Sequence, residues 1–422
     1  MKTTRDQLVL TNCMFSMLIM VYYLYFVYNP TQTTFTVILI LGFLVLLKIK
    51  FSYFKPMTAF ILPWLVVGFI VLLPVSEYHR PINKLTLILI SLPIVIPIVL
   101  WPISYPSSIE RKERHLMTKV FGTRFLLVFL TIIIVFMVNT LLSGFIPLIK
   151  GITTGNTNYL KYGVGGLNGF LYSMLNAFGL VSFYIFLIRK RKIYLAFYIA
   201  TYVVFFLTFS RQNMVSLLCE SVILFTLVNR QIKRGKLAII SIAFLLIFSY
   251  LGTYRTGSIK ALAKIKEEYS SIPSPFVWIY SYGYFNILNL DRVVSGGHYG
   301  YYNGASLNQL VPSFIRPNSI SDFVQLEVPN FTVKSYITPI LRDFGIIGIL
   351  IFTCFLVLLT MIRFKAAVSK KDFESVAIYS ILYFCAFFSF FSNFWFFLPI
   401  IFQIPFVMLF SRFLIKENWG RP

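Results

Sequence analysis

The run Phe276-Val277-Trp278-Ile279-Tyr280-Ser281-Tyr282-Gly283-Tyr284-Phe285-Asn286-Ile287-Leu288-Asn289-Leu290 decides how this chain is threaded. It is aromatic and apolar enough to enter a bilayer, yet crossing one takes about 20 predominantly apolar residues. Here Tyr280, Ser281, Asn286 and Asn289 interrupt a shorter stretch, so the run reads as a re-entrant or interfacial segment. On that reading everything from Tyr254 to Thr338 stays on one side as a single long polar connector. Reading the run as a span would carry the residues after it across the membrane and break the distribution of charge.

Hydrophobic residues make up 58% and charged residues 12% of the 422, with a mean hydropathy of +0.79, which excludes an ordinary soluble domain. Apolar runs of span length lie near 8–28, 33–50, 58–76, 84–101, 121–143, 167–188, 193–209, 212–228, 237–253, 339–362, 374–391 and 394–411. The expectation is an all-α polytopic membrane protein of about twelve transmembrane helices, with residues 1–422 forming one integral membrane domain.

A net charge of +24 would suit nucleic acid if the cations formed one face. They occupy alternate connectors instead: Lys48, Lys50 and Lys55; Arg111, Lys112, Arg114, Lys119 and Arg124; Arg189 to Lys192; Arg230, Lys233, Arg234 and Lys236; Arg363, Lys365, Lys370 and Lys371; and Arg412, Lys416 and Arg421. The positive-inside rule makes that side cytoplasmic and places both termini there. The partner implied is membrane lipid, not nucleic acid, and the 254–338 connector is extracytoplasmic. Cys13, Cys219, Cys354 and Cys385 fall in apolar runs and read as small core residues. The first four spans read as packing scaffold with short outer connectors.

Chemistry is therefore sought in the outer connectors and the span ends that hold them. Lys150 to Gly166 is rich in Gly, Asn and Tyr and could face sugar. The turn Thr208-Phe209-Ser210-Arg211-Gln212-Asn213 offers Ser210 as a helix N-cap and Arg211 at an outward helix N-terminus, where free N–H groups already favour an anion; a snorkelling surface arginine is the plain alternative. Glu220, deeper in the same span, is costly there and reads as catalytic or as an interhelical hydrogen bond to an outer-face arginine or a neighbouring serine. Ser258 caps an expected interfacial helix over Ile259 to Tyr269. Within the long connector stand Arg255, Arg292, Arg316 and His298, the last either a flexible loop residue or a general base. Thr338 then Pro339 reads as N-cap and N1 of the next span, making a second outward N-terminus that carries Arg342 and Asp343. Tyr280, Tyr282, Tyr284, Tyr301 and Tyr302 either stack on sugar or form an interfacial belt.

Phe209-Ser210-Arg211 opening a span, Asn303-Gly304-Ala305-Ser306 before Val311-Pro312 and Arg316-Pro317, and Asp343-Phe344-Gly345-Ile346-Ile347-Gly348 at the next span resemble, in order and spacing, the Wzy-type polymerases that join O-antigen or capsule repeat units. The motifs lie within residues 193–362, and the topology is similar over the whole chain. An arginine followed after ten residues by glycine, present in some members, is absent from the outer connectors here. The resemblance implies a GT-C-like architecture in the bacterial cytoplasmic membrane. It also implies glycosyl transfer on the outer face, with undecaprenyl-diphosphate-linked oligosaccharide as donor and acceptor and a chain-length regulator and a flippase as further partners. Arg211, Arg255, Arg292, Arg316 and Arg342 would bind the diphosphate, with no metal and no cofactor, since guanidinium forks neutralise phosphate bidentately. His298, Asp343 and Glu220 would supply the catalytic groups, with Asp322 and Glu327 also available as bases. The rival reading is a repeat-unit flippase or other transporter, which suits about twelve spans equally well but predicts internal repeats that the two halves do not show.

Overall fold

The computed structural model describes residues 5–48, 54–104, 117–155, 161–229, 257–297, 299–300, 302–312, 315–316 and 331–418, with isolated positions between them. Its helices are α1 (Arg5–Tyr28), α2 (Gln32–Lys48), α3 (Pro56–Val71), α4 (Lys84–Ser104), α5 (Gly122–Ser143), α6 (Pro147–Thr154), α7 (Leu167–Arg189), α8 (Lys192–Leu207) and α9 (Arg211–Asn229), followed by α10 (Ser274–Ser295), α11 (Ile337–Lys370), α12 (Phe373–Phe387) and α13 (Gln403–Leu414). Five stretches, Lys84–Trp101, Gly122–Ser143, Leu167–Arg189, Arg211–Val228 and Ile337–Lys370, are long and apolar enough to cross a membrane. Shorter apolar helices cover Asn12–Tyr28, Gln32–Lys48, Pro56–Val71, Lys192–Leu207, Phe373–Phe387 and Leu398–Leu414. The expected span 237–253 lies outside the described residues apart from isolated positions.

Among the described residues, side chains and a short ribbon bring some of the cation-bearing chain ends together. Strands β1 (Met117–Val120) and β2 (Ile415–Asn418) pair antiparallel, with Lys119 opposite Lys416. Arg124 Nη1 donates to the Phe413 carbonyl at 3.2 Å, and its guanidinium lies 4.3 Å from the centre of the Phe121 ring. The Tyr379 hydroxyl donates to the Phe54 carbonyl at 2.6 Å, and the Tyr184 hydroxyl reaches the Lys371 carbonyl at 3.5 Å. Chain ends that carry cations in the sequence are thus neighbours in space.

The decisive run is a complete helix, α10, of 22 residues with most of its length buried, so of the two readings, re-entrant or interfacial, the interfacial one is set aside. The 254–338 stretch accordingly contains a buried helix. Most of the polar residues that argue against a buried helix are tolerated in one because they find hydrogen-bond partners, the Ser281 hydroxyl being the exception. The Tyr280 hydroxyl donates to the Leu73 carbonyl at 3.4 Å and accepts from Ser76 N at 3.3 Å. Tyr284 likewise donates to Tyr78 O at 3.3 Å and accepts from Arg80 N at 3.1 Å. Asn286 donates to the carbonyls of Phe390 and Phe391 at 2.7 and 2.9 Å and accepts from Ser335 N at 2.6 Å. Asp291 accepts from Asn83 N and Thr86 Oγ1, both at 2.8 Å, with Arg80 Nη2 at 3.4 Å. The connector after α3, expected to be mere linkage, is therefore a clamp on α10. His79 stacks on Tyr284, ring centres 5.6 Å apart, and burial together with nearby Lys266 pushes its pKa below the ordinary histidine value.

The expected helix from Ile259 to Tyr269 also breaks up. Only Ile259–Leu262 is α-helical, followed by a 3₁₀ turn at Glu267–Tyr269. Between them Ile265 bridges to Ser76 as an extended pair, and Ser258 makes no side-chain cap. Tertiary pairing with the 73–80 connector outweighs the local helical pattern here.

Candidate functional site

The N-terminal part of α11 is a buried half-helix. It opens at Ile337 after Tyr336, so Thr338 lies inside the first turn, and its hydroxyl is buried without a hydrogen-bond partner. The reading of Thr338 as an N-cap is corrected accordingly. Arg342, within the first two turns, is 5% exposed, with its guanidinium 4.2 Å over the Tyr302 ring. Two residues past Asp343 the helix breaks at Gly345, whose φ of 68° and ψ of −164° are open in practice only to glycine.

A break leaves the carbonyls of the preceding turn without partners further along the helix. The loop after α10 supplies them. Gly300 N donates to Leu341 O at 3.1 Å and Arg342 O at 2.9 Å, and Tyr302 N donates to Arg342 O at 3.3 Å. The two glycine backbones come so close that a Cβ on Gly300 would sit 3.9 Å from Gly345 Cα. Asp343, 4% exposed, accepts from Ser306 N at 2.9 Å and from the Ser306 hydroxyl. Lys334 sits beside Tyr302, and burial lowers its pKa from the ordinary lysine range.

From Ser306 the chain continues through the 3₁₀ turn Ala305–Leu310 to Arg316. That arginine lines a cavity of about 460 Å³ together with Gln309, Tyr162, the glycine-rich strip 163–166, Asn168, Gly169 and the segment Phe397, Leu398 and Pro399. No carboxylate stands among these residues. Arg316 is exposed and spends Nε and Nη2 on the carbonyl of Val311, at 3.1 and 2.9 Å, with Gln309 O at 3.4 Å from Nη2. The glycine strip is fixed from behind by α5: Asn139 accepts from Val164 N at 2.9 Å and donates to Asn168 at 3.1 Å, and Ser143 Oγ accepts from Gly163 N at 2.9 Å. Burial raises the Tyr162 pKa above the ordinary tyrosine value, so its hydroxyl, bonded to Thr140 at 2.9 Å, stays neutral.

Arg211 opens α9, half-buried, next to a polar patch that adjoins the cavity wall. Ser210 stands just before the helix, its carbonyl accepting from Met214 N at 3.2 Å; its hydroxyl accepts from Asn213 Nδ2 at 2.7 Å, while Asn213 Oδ1 takes a bond from Asn176 at 3.1 Å. Tyr172 links this patch to cavity-lining Asn168. The structure thus joins the Lys150 to Gly166 connector with Arg316, and Arg342 with Asp343, while Arg211 lies off the lining. Arg292 ends α10. Arg255, His298, Tyr301, Asp322 and Glu327 lie outside the described residues.

Glu220 is fully buried, about 10 Å along α9 from Asn213 by helical rise, and does not line the cavity. Among the described residues Gln403 at the start of α13 faces it, and Cys385 of α12 lies nearby. Glu220 and Gln403 approach without closing a hydrogen bond. Glutamine at 220 preserves volume and polarity, so Glu220→Gln should keep turnover per inserted molecule near normal, whereas Glu220→Ala should lower abundance by opening a void. A hundredfold loss of turnover in the glutamine variant at normal abundance would return Glu220 to the reacting groups.

Gln309, Asn139 and Gln403 carry no motif and escape sequence reading, and Ser306, though it ends the Asn303-Gly304-Ala305-Ser306 stretch, is given no role by it. Only the alternation of glycines around 296–304 and at 345 signals that two backbones meet there. Comparison with protein-family models, with characterised proteins and with solved structures finds no match for the chain.

Proposed function

We propose that this protein polymerises undecaprenyl-diphosphate-linked oligosaccharide repeat units by glycosyl transfer on the outer face of the bacterial cytoplasmic membrane. In this reading about twelve spans cross the membrane, both termini are cytoplasmic, and the end of the bundle that carries the cavity faces outward. The observation that supports it is the cavity itself: an arginine facing a glycine-rich strip, with no carboxylate among the described residues of the lining. Such a lining suits a diphosphate, the group that departs when the bond from the donor's anomeric carbon to the phosphate oxygen breaks. The acceptor hydroxyl forms the new bond at that carbon and releases its proton to a base. Arginine forks stabilise the departing charge without a metal. Polymerisation is accordingly expected to persist in EDTA.

Gel analysis of surface polysaccharide from a deletion strain tests the assignment. Single-repeat material in place of a ladder is the expected result. Loss of outer-face lipid-linked repeats altogether would instead identify a flippase.

A further inference from the structure

Arg316 is exposed, so close packing does not hold its guanidinium; the carbonyls of Val311 and Gln309 do. Those carbonyls close the 3₁₀ turn Ala305–Leu310, which is too short to be stable alone. The turn is anchored at its other end, where both the backbone N–H and the hydroxyl of Ser306 bond to Asp343 Oδ2. Asp343 in turn sits on the buried half-helix before the Gly345 break, whose last carbonyls are bonded by Gly300 N and Tyr302 N. A continuous hydrogen-bonded path therefore runs from Asp343 through Ser306 and the turn to Arg316.

We infer that Asp343 is a positioning residue: through Ser306 it sets Arg316 in the cavity, where the guanidinium meets the phosphate groups of the substrate. This rests on the proposed function for the identity of the ligand, but the tether itself does not. Asp343 Oδ2 already takes two donors from one residue, the geometry of an anchor. The base that receives the acceptor's proton is then a different group.

The full chain in detergent is assayed for binding of inorganic pyrophosphate by calorimetry, for hydrogen exchange over residues 302–312, and for polymerisation as a function of pH. Ser306→Ala keeps the backbone N–H bond and spares the fold. It should weaken pyrophosphate binding about tenfold, the cost of one charge-assisted hydrogen bond, and speed exchange in the turn. Ser306→Thr, which retains the hydroxyl, should recover most of both. Asp343→Asn should lower kcat in the same direction as Arg316→Ala but by less, and leave the shape of the pH profile unchanged. Loss of a limb of that profile in Asp343→Asn, with pyrophosphate binding intact, would make Asp343 the base and overturn the inference. Unchanged exchange in Ser306→Ala would overturn the tether directly. Unchanged pyrophosphate binding in Arg316→Ala would sink the cavity reading instead, leaving the tether to be judged by exchange alone.

Discussion

Arg316→Ala should lower polymerisation about 10²–10³-fold per inserted molecule, the loss of ~3–4 kcal/mol that follows removal of one well-placed donor to developing charge. The protein should still insert at normal abundance, because Arg316 is exposed and sits on a loop outside the packed helices. Arg316→Lys keeps the charge but loses the planar fork that lets one edge hold the Val311 carbonyl while Nη1 points elsewhere. It should recover only part of the activity. The comparison with Arg211 is informative, since Arg211 carries the same charge but does not line the cavity. If it only supports the Ser210 and Asn213 patch, Arg211→Lys should be close to wild type. Rates measured on purified lipid-linked repeats, normalised to inserted protein, decide between them. Full turnover in Arg316→Ala would move the diphosphate away from this cavity and make Arg211 the first candidate to replace it.

What the sequence makes legible follows from what a bilayer demands. Lipid forces spans to be long, apolar and helical, so most apolar runs and helices coincide over the described residues, whereas the expected span 394–411 is broken into Phe394–Phe396, Leu398–Ile401 and Gln403–Leu414. The ribbon pairing Lys119 with Lys416 puts two of the cationic connectors side by side. The run at Phe276 defeats the same logic because its burial rests on protein partners, not lipid. Tyr280, Tyr284, Asn286 and Asp291 look too polar only until the connector 73–86 and the carbonyls of Phe390 and Phe391 are brought to them. No periodicity in the run reports partners some 200 residues away in the chain. The same holds for the site. Arg316 is visible as a cation in a polar stretch, but the glycine strip that forms the opposite wall lies far earlier, and Ser306 is an ordinary serine until Asp343 is beside it.

Gly345→Ala is the substitution expected to disturb the site most broadly, and the reason is backbone conformation. An added Cβ would have room, with its nearest neighbour, Gly300 Cα, 4.0 Å away. The obstacle is the dihedral pair, φ 68° and ψ −164°, which strains any L-residue by about 1–3 kcal/mol. Alanine has a cheaper course: φ turns negative and α11 runs on as one straight helix, recovering the hydrogen bonds that the break interrupts. Gly300 N and Tyr302 N would then lose the carbonyls of Leu341 and Arg342 to the helix itself, and Asp343 would rotate away from Ser306. Gly348 adds a local constraint, since Phe344 folds over it so closely that a Cβ there would meet Phe344 Cβ at 2.2 Å; straightening the helix must move that ring as well. The expected outcome is an inserted, helical protein with faster hydrogen exchange over 299–312 and polymerisation reduced at least as far as in Arg316→Ala. Gly304→Ala provides the comparison, because Gly304 shares a positive φ of 86° but lies on the loop and not in the helix. It should loosen the turn without touching the half-helix, and so cost less. Normal exchange and normal turnover in Gly345→Ala would mean that the break is incidental to how Arg316 is held.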